Sequence, residues 1–255
     1  MCGRFVITSP PDALRQMFGY EEQPNFPPRH NIAPTQPIPV VISDHGKRHF
    51  RLMRWGFVPA WVKDPRNFTL LINARAETVR EKPAFKNAIR RRRVLVPADG
   101  YYEWQETGGR KRPFFIHHRD GAPFGFAALA ETWAGPNGEE VDTVAIVTTA
   151  ANRELAGLHH RAPATITADD FERWLDCSAD DAAEVMDLLG PPEEGIFVWH
   201  EVSRRVNSVA NDDAQLVLAI TDEQRAAEEA GMSPQKAAPR KAPRPPADDG
   251  QGSLF

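Results

Sequence analysis

The sequence predicts an α+β protein with a mixed, mostly antiparallel, barrel-like β-sheet core and surrounding helices. Three observations carry this expectation. Short runs rich in β-branched and aromatic residues recur as far as residue 198, turn residues separate them, and helical patterns interrupt the runs without alternating with them one for one. At 255 residues and 41% hydrophobic, the chain has enough apolar material to bury a substantial core.

The strand-like runs are Pro39 to Ile42, His49 to Trp55, Arg93 to Val96, Pro113 to His117, Phe124 to Ala130, Val144 to Thr149 and Gly195 to Val198. Asp99-Gly100, Gly108-Gly109, Asp120-Gly121 and Pro136-Asn137-Gly138 supply turn chemistry between runs, which favours antiparallel neighbours. Helical patterns fall at Pro11 to Phe18, Arg75 to Ile89, Asn152 to Leu158 and Asp169 to Leu189. From about Thr221 the composition turns to Ala, Glu, Gln, Lys and Pro, and Ala237 to Asp249 offers almost nothing to a core. The expected organisation is a domain over residues 1–220 followed by a disordered tail over 221–255.

The formal net charge of −4 hides an asymmetry. Residues 1–120 hold 21 Lys and Arg against 11 Asp and Glu, and the remainder holds 10 against 24. A polyanion-binding face can be drawn from the basic part while the acidic part supports solubility. No window approaches the roughly 18 apolar residues of a membrane span, and the start lacks a signal-peptide pattern, so a soluble, cytoplasmic protein is expected. Cys2 and Cys177 are far apart and outside zinc or redox spacing. Cys177 reads as a half-buried small residue. The pairs His117-His118 and His159-His160 point apart as sequence neighbours and lack an accompanying ligand set, so neither metal nor cofactor is expected.

Cys2 followed by Gly3 is the unusual feature. Cys is small enough for Met1 to be excised, which leaves an α-amine and a thiol on one residue. Their ordinary pKa values, about 7.7–8.0 and about 8.5, make appreciable fractions of each reactive at neutral pH. Toward an aldehyde the amine forms an imine, and the thiol then closes a five-membered thiazolidine. Two other readings of the Met-Cys-Gly start stand beside this one: a structural cysteine opening a strand, and the N-terminal nucleophile of a class II glutamine amidotransferase, although Arg4 places a charge where those enzymes continue with an apolar residue.

Further segments share rare residue types in order: Met1-Cys2-Gly3-Arg4-Phe5, Asn31-Ile32-Ala33-Pro34-Thr35, Arg54-Trp55-Gly56, Asn73-Ala74-Arg75-Ala76-Glu77, Arg93 through Trp104, Thr148 through Asn152, His159-His160-Arg161-Ala162-Pro163 and Val202-Ser203. In these the chain resembles the SRAP family, the SOS-response-associated peptidases, over roughly residues 1–220. The resemblance implies recognition of abasic sites in single-stranded DNA, a thiazolidine crosslink through the N-terminal cysteine, and peptidase-like removal of the initiator methionine. It further implies that Cys2, Asn73, Glu103 and His159 form the active centre. Opening the abasic sugar from its hemiacetal needs proton transfer at oxygen, which suits a carboxyl such as Glu103. His159 would donate to the departing hydroxyl or polarise the aldehyde, and Asn73 would hold the sugar or the amine. The family pattern His-Asp-Arg-Met-Pro stands here as His159-His160-Arg161-Ala162-Pro163, so spacing selects His159 with His160 as its rival.

Arg4 and Arg75 are the expected phosphate ligands, Arg161 a further one, and Trp104 a stacking platform for an exposed base. The run Arg90 to Arg93 reads mainly as a solvated helix end. Gln251-Gly252-Ser253-Leu254-Phe255 resembles the Gln-x-x-Leu-Phe pattern that docks bacterial replication and repair proteins into the sliding clamp, so Gln251, Leu254 and Phe255 are expected clamp contacts at the replication fork. A cysteine peptidase or amidohydrolase using Cys2, and a noncovalent single-strand binding module, are the alternative functions.

Overall fold

The computed structural model describes residues 2–179 and 181–231. Gln251, Leu254 and Phe255 lie outside the described residues. The strands are β1 Phe5–Ile7, β2 Arg29–Ile32, β3 Pro37–Asp44, β4 Lys47–Trp55, β5 Asn73–Arg75, β6 Arg93–Ala98, β7 Gly100–Thr107, β8 Arg110–His118, β9 Phe124–Ala134, β10 Glu140–Ala150, β11 Arg161–Pro163, β12 Thr165–Ile166 and β13 Phe197–Glu201. The α-helices are α1 Pro11–Phe18, α2 Ala88–Arg91, α3 Phe171–Leu175 and α4 Asp222–Glu229.

One sheet runs β13-β8-β7-β1-β2. In the other, β10, β4, β3, β6 and β9 pair in succession and β9 pairs back to β10, closing a five-stranded barrel that removes the sheet edges. All neighbours are antiparallel except β10 with β4 and with β5. The sheets meet at Phe5. Its ring packs edge-on against Trp55 at 5.3 Å and Phe126 at 5.9 Å, and all three side chains are fully buried. The predicted α+β, mostly antiparallel, barrel-like core is therefore the observed one.

Every sequence-read strand is present, usually longer than its apolar run, and the three glycine turns between β7 and β8, β8 and β9, and β9 and β10 form where expected. Pro11–Phe18 is a helix that starts on Pro and stops at Gly19 in the left-handed conformation. The three other helical patterns shrink. Over Arg75 to Ile89 the chain makes a strand, a series of turns and only then α2, because Pro83 cannot donate within a helix and biases Lys82 away from one. Asn152 to Leu158 reduces to a 3₁₀ turn at Leu155–Gly157, with Asn152 Oδ1 accepting from the Leu155 N–H at 2.9 Å. Asp169 to Leu189 breaks between α3 and a 3₁₀ segment at Ala183–Leu189.

The cause of that last break is Arg93. It is not a solvated helix end but a buried cation. Its guanidinium donates to the carbonyls of Trp174 at 2.7 Å, Ile89 at 2.9 Å and Asp176, so α3's terminal carbonyls are taken by a side chain instead of the next helical turn. Cys177, half-buried, lies in this break.

The chain divides between Ile220 and Thr221. The second unit was expected to be without structure, yet it opens with α4, where Thr221 and Gln224 form a reciprocal capping box that satisfies the first-turn N–H groups. Among the described residues, no helix is long and apolar enough to cross a membrane.

Candidate active site

Local rules place the N-terminus against β7. β1 pairs antiparallel with β7 through Phe5–Tyr101 and Val6–Gly100, and the ladder continues with the Tyr102 N–H donating to the Arg4 carbonyl at 3.0 Å. Continuing that register sets Gly3 across from Glu103, with Cys2 beside it. Glycine is required at 100, where a Cβ would lie 2.5 Å from the Phe115 ring and 2.7 Å from the Ile116 carbonyl oxygen. Asp99 fastens the corner, its carboxylate accepting from the N–H groups of Thr8 at 2.5 Å and Ser9 at 2.8 Å.

The barrel supplies the opposite wall. β5 runs parallel to β10 and β11 antiparallel to it, so Asn73 at the start of β5 and His159 just before β11 reach the same place. The Asn73 amide donates to the Cys2 carbonyl oxygen at 3.0 Å, and its own Oδ1 is buried with no partner among the described residues. His159 Nδ1 lies 3.3 Å from Glu103 Oε1. All four residues of the expected centre, Cys2, Asn73, Glu103 and His159, thus converge from separate elements.

Burial sets the protonation. Glu103 is 3% exposed, and loss of water raises its carboxyl pKa against the opposing pull of the terminal ammonium. Burial lowers the His159 pKa, with the same ammonium adding to the effect. The Arg161 N–H donates to His159 Nδ1 at 3.0 Å, closer than the Arg161 carbonyl oxygen at 3.2 Å, which makes Nδ1 an acceptor and leaves the neutral ring's proton on Nε2. The Cys2 thiol, 1% exposed, is pushed well above its usual range first by burial and then by the Glu103 charge. His160 stacks on His159 with centroids 4.3 Å apart but is itself exposed, so His159 is the histidine at Glu103.

The expected DNA ligands divide. Arg75 is exposed on β5. Arg4 donates to Asn31 Oδ1 at 2.8 Å and to the carbonyls of Val206 at 2.7 Å and Asn207 at 3.2 Å. Trp104, half-buried, has its indole N–H fixed on Asn207 Oδ1 at 2.8 Å. Arg161 makes a two-pronged pair with Glu77 at 2.5 and 3.0 Å and donates to the Thr148 carbonyl at 2.6 Å. Among the described residues no three His, Cys, Asp or Glu side chains converge as a metal set.

Sequence reasoning passed over Asn31, Glu77 and Tyr101. Asn31 is fully buried and its amide donates to the carbonyls of Val206, Ser208 and Asn211 at 2.8–3.2 Å, holding the segment on which Arg4 and Trp104 close. Tyr101 shares Glu103's face of β7, a relation visible only once Gly100–Thr107 is read as a strand.

The model of the SOS response associated peptidase (SRAP) family matches residues 1–209. The chain belongs to the SRAP family. Relatives include the Bacillus subtilis abasic site processing protein YoqW, 34% identical over 221 residues that cover 85% of this chain and 99% of that one. The Escherichia coli abasic site processing protein YedK is 31% identical over 228 residues, covering 86% and 100%. A solved structure of a protein from Bacteroides thetaiotaomicron superposes with a TM-score of 0.77 at 26% identity, covering 86% of this SRAP chain and all of the other.

Proposed function

We propose that this SRAP protein senses abasic sites in single-stranded DNA and shields them by a covalent thiazolidine crosslink through Cys2. The observation that carries the reading is the pairing of Cys2 with open hydrogen-bonding capacity: Asn73 holds the Cys2 backbone, its Oδ1 is buried without a partner among the described residues, and the buried Glu103 acts on the Cys2 thiol. The relatives named as abasic site processing proteins support it.

In this reading, peptidase-like processing removes Met1 and frees the Cys2 amine. Glu103, whose pKa burial raises, donates to the sugar oxygen as the hemiacetal opens, and His159 Nδ1 holds that carboxyl in place. Asn73 Oδ1 accepts from the amine. Arg75 takes a backbone phosphate directly. Arg4 and Arg161, already bonded to protein acceptors, contribute positive potential, and Trp104, with its indole fixed by Asn207, offers a base a rigid face. Binding then reads backbone and missing base with strong salt dependence. The tail motif Gln251, Leu254 and Phe255 tethers the protein to the replication clamp in the bacterial cytoplasm, raising its local concentration at exposed single strands.

The test incubates the purified full chain with a single-stranded oligonucleotide carrying one abasic site, followed by denaturing gels and intact mass. A stable adduct that disappears in Cys2→Ala is expected. No adduct with wild type, or an unchanged adduct with Cys2→Ala, overturns the proposal.

A further inference from the structure

Tyr101 carries a buried hydroxyl that no described residue uses. The residue is 1% exposed, and its Oη is buried with no hydrogen-bond partner. Leaving a hydroxyl in that state costs stability, a cost phenylalanine would avoid with the same ring. The neighbouring Tyr102 shows the ordinary solution, its hydroxyl donating to the His30 carbonyl at 2.8 Å.

Tyr101 is also well placed. It lies two residues before Glu103 on the same face of β7 and pairs across the sheet with Phe5, three residues after Cys2. Its ring is anchored edge-on against Phe126 at 6.0 Å and Phe197 at 6.3 Å, in the same buried cluster as Cys2, whereas Tyr102 packs in a separate cluster behind the strand. Burial first, and then any negative charge developing on Cys2 or Glu103, raises the phenol's pKa, so Tyr101 keeps its proton.

We propose that Tyr101 Oη–H is the hydrogen-bond donor for the Cys2 sulfur during closure of the thiazolidine ring. The inference rests on the crosslinking reading above. In that chemistry the carbinolamine hydroxyl leaves as water with a proton from Glu103, giving a protonated imine and a Glu103 carboxylate. Ring closure forms one C–S bond. Sulfur attacks C1′, the C=N π pair withdraws to nitrogen and cancels its positive charge, and the thiol proton passes to the Glu103 carboxylate. Tyr101 keeps its own proton throughout and stabilises the negative charge that builds on sulfur. A donor unpartnered in the free protein and engaged only as that charge develops lowers the barrier without stabilising the ground state. In this assignment Tyr101 acts on a reacting atom and is a catalytic residue.

The test compares wild type, Tyr101→Phe and Tyr102→Phe in single-turnover crosslinking to abasic single-stranded DNA, with borohydride added at intervals to trap the imine and with thermal midpoints measured alongside. Tyr101→Phe is expected to slow thiazolidine formation by about a hundredfold, to accumulate borohydride-trappable imine, and to unfold at the same or a higher temperature than wild type. Tyr102→Phe is expected to close the ring at the wild-type rate and to unfold at a lower temperature. Ring closure at the wild-type rate in Tyr101→Phe, or a slowed rate with no trapped imine, overturns the assignment while the crosslinking reading stands. Failure of wild type to crosslink overturns both.

Discussion

The two faces of β7 are built from the same kinds of residue to opposite ends. On one face Tyr102 donates to His30, Trp104 donates to Asn207, and the nearby Asn31 spends its amide on three carbonyls and its oxygen on Arg4. On the other, Tyr101 Oη and Asn73 Oδ1 have no partner, and Glu103 is held where its neutral form is favoured. Buried polar groups are ordinarily paired because an unpaired one is costly. The first face follows that rule and organises the fold. The second departs from it at the cysteine, as expected if those groups serve the proposed ligand.

This contrast is broken most severely from the saturated side. Asn31→Ala takes the side-chain amide donor from the Ser208 and Asn211 carbonyls and one of the Arg4 guanidinium's three acceptors, and a loss of at least about 3 kcal/mol of stability is expected in chemical denaturation. Asn73→Ala removes one hydrogen bond, to the Cys2 carbonyl oxygen. Its stability should stay within about 1.5 kcal/mol of wild type while crosslinking slows about tenfold. If the two asparagine variants lose equal stability, the distinction between the faces fails.

Glu103→Gln sharpens the comparison through pH. With Glu103 as the acid, the wild-type crosslinking rate falls as pH rises through its elevated pKa, and Glu103→Gln should be slower by about a hundredfold and should lack that limb. Stability carries the matching sign. A carboxyl whose folded pKa lies above its unfolded one binds more protons when folded, so its contribution is complete below the ordinary carboxylate range and is lost as pH rises through the raised value. Glu103→Gln should therefore flatten the decline of stability across that window, read as thermal midpoint against pH. A parallel decline in both proteins would assign it to other groups.

The smallest effect on either face comes from the tail. Leu254→Ala with Phe255→Ala should leave crosslinking and stability at wild-type values and remove binding to an immobilised sliding clamp. Retained clamp binding would rule out that docking mode.

Much of this molecule was legible in the chain. Turn glycines and β-branched runs marked seven strands, because those signals are local. The helical patterns at Arg75 to Ile89 and Asp169 to Leu189 misled for a physical reason: their apolar spacing was real, but Pro83 and the buried Arg93 guanidinium, each acting on backbone groups, overrode it. The ordered motifs singled out Cys2, Asn73, Glu103 and His159, and Cys2 directly after Met1 is the position from which the proposed processing would free both amine and thiol. Only the tertiary structure decided what surrounds those groups. Whether an asparagine is spent or open, which of two adjacent tyrosines keeps a free hydroxyl, and which of two adjacent histidines meets the acid all depend on burial and on partners up to about two hundred residues away. A one-dimensional pattern fixes residue types and faces, but solvent exclusion and hydrogen-bond satisfaction are properties of the packed whole.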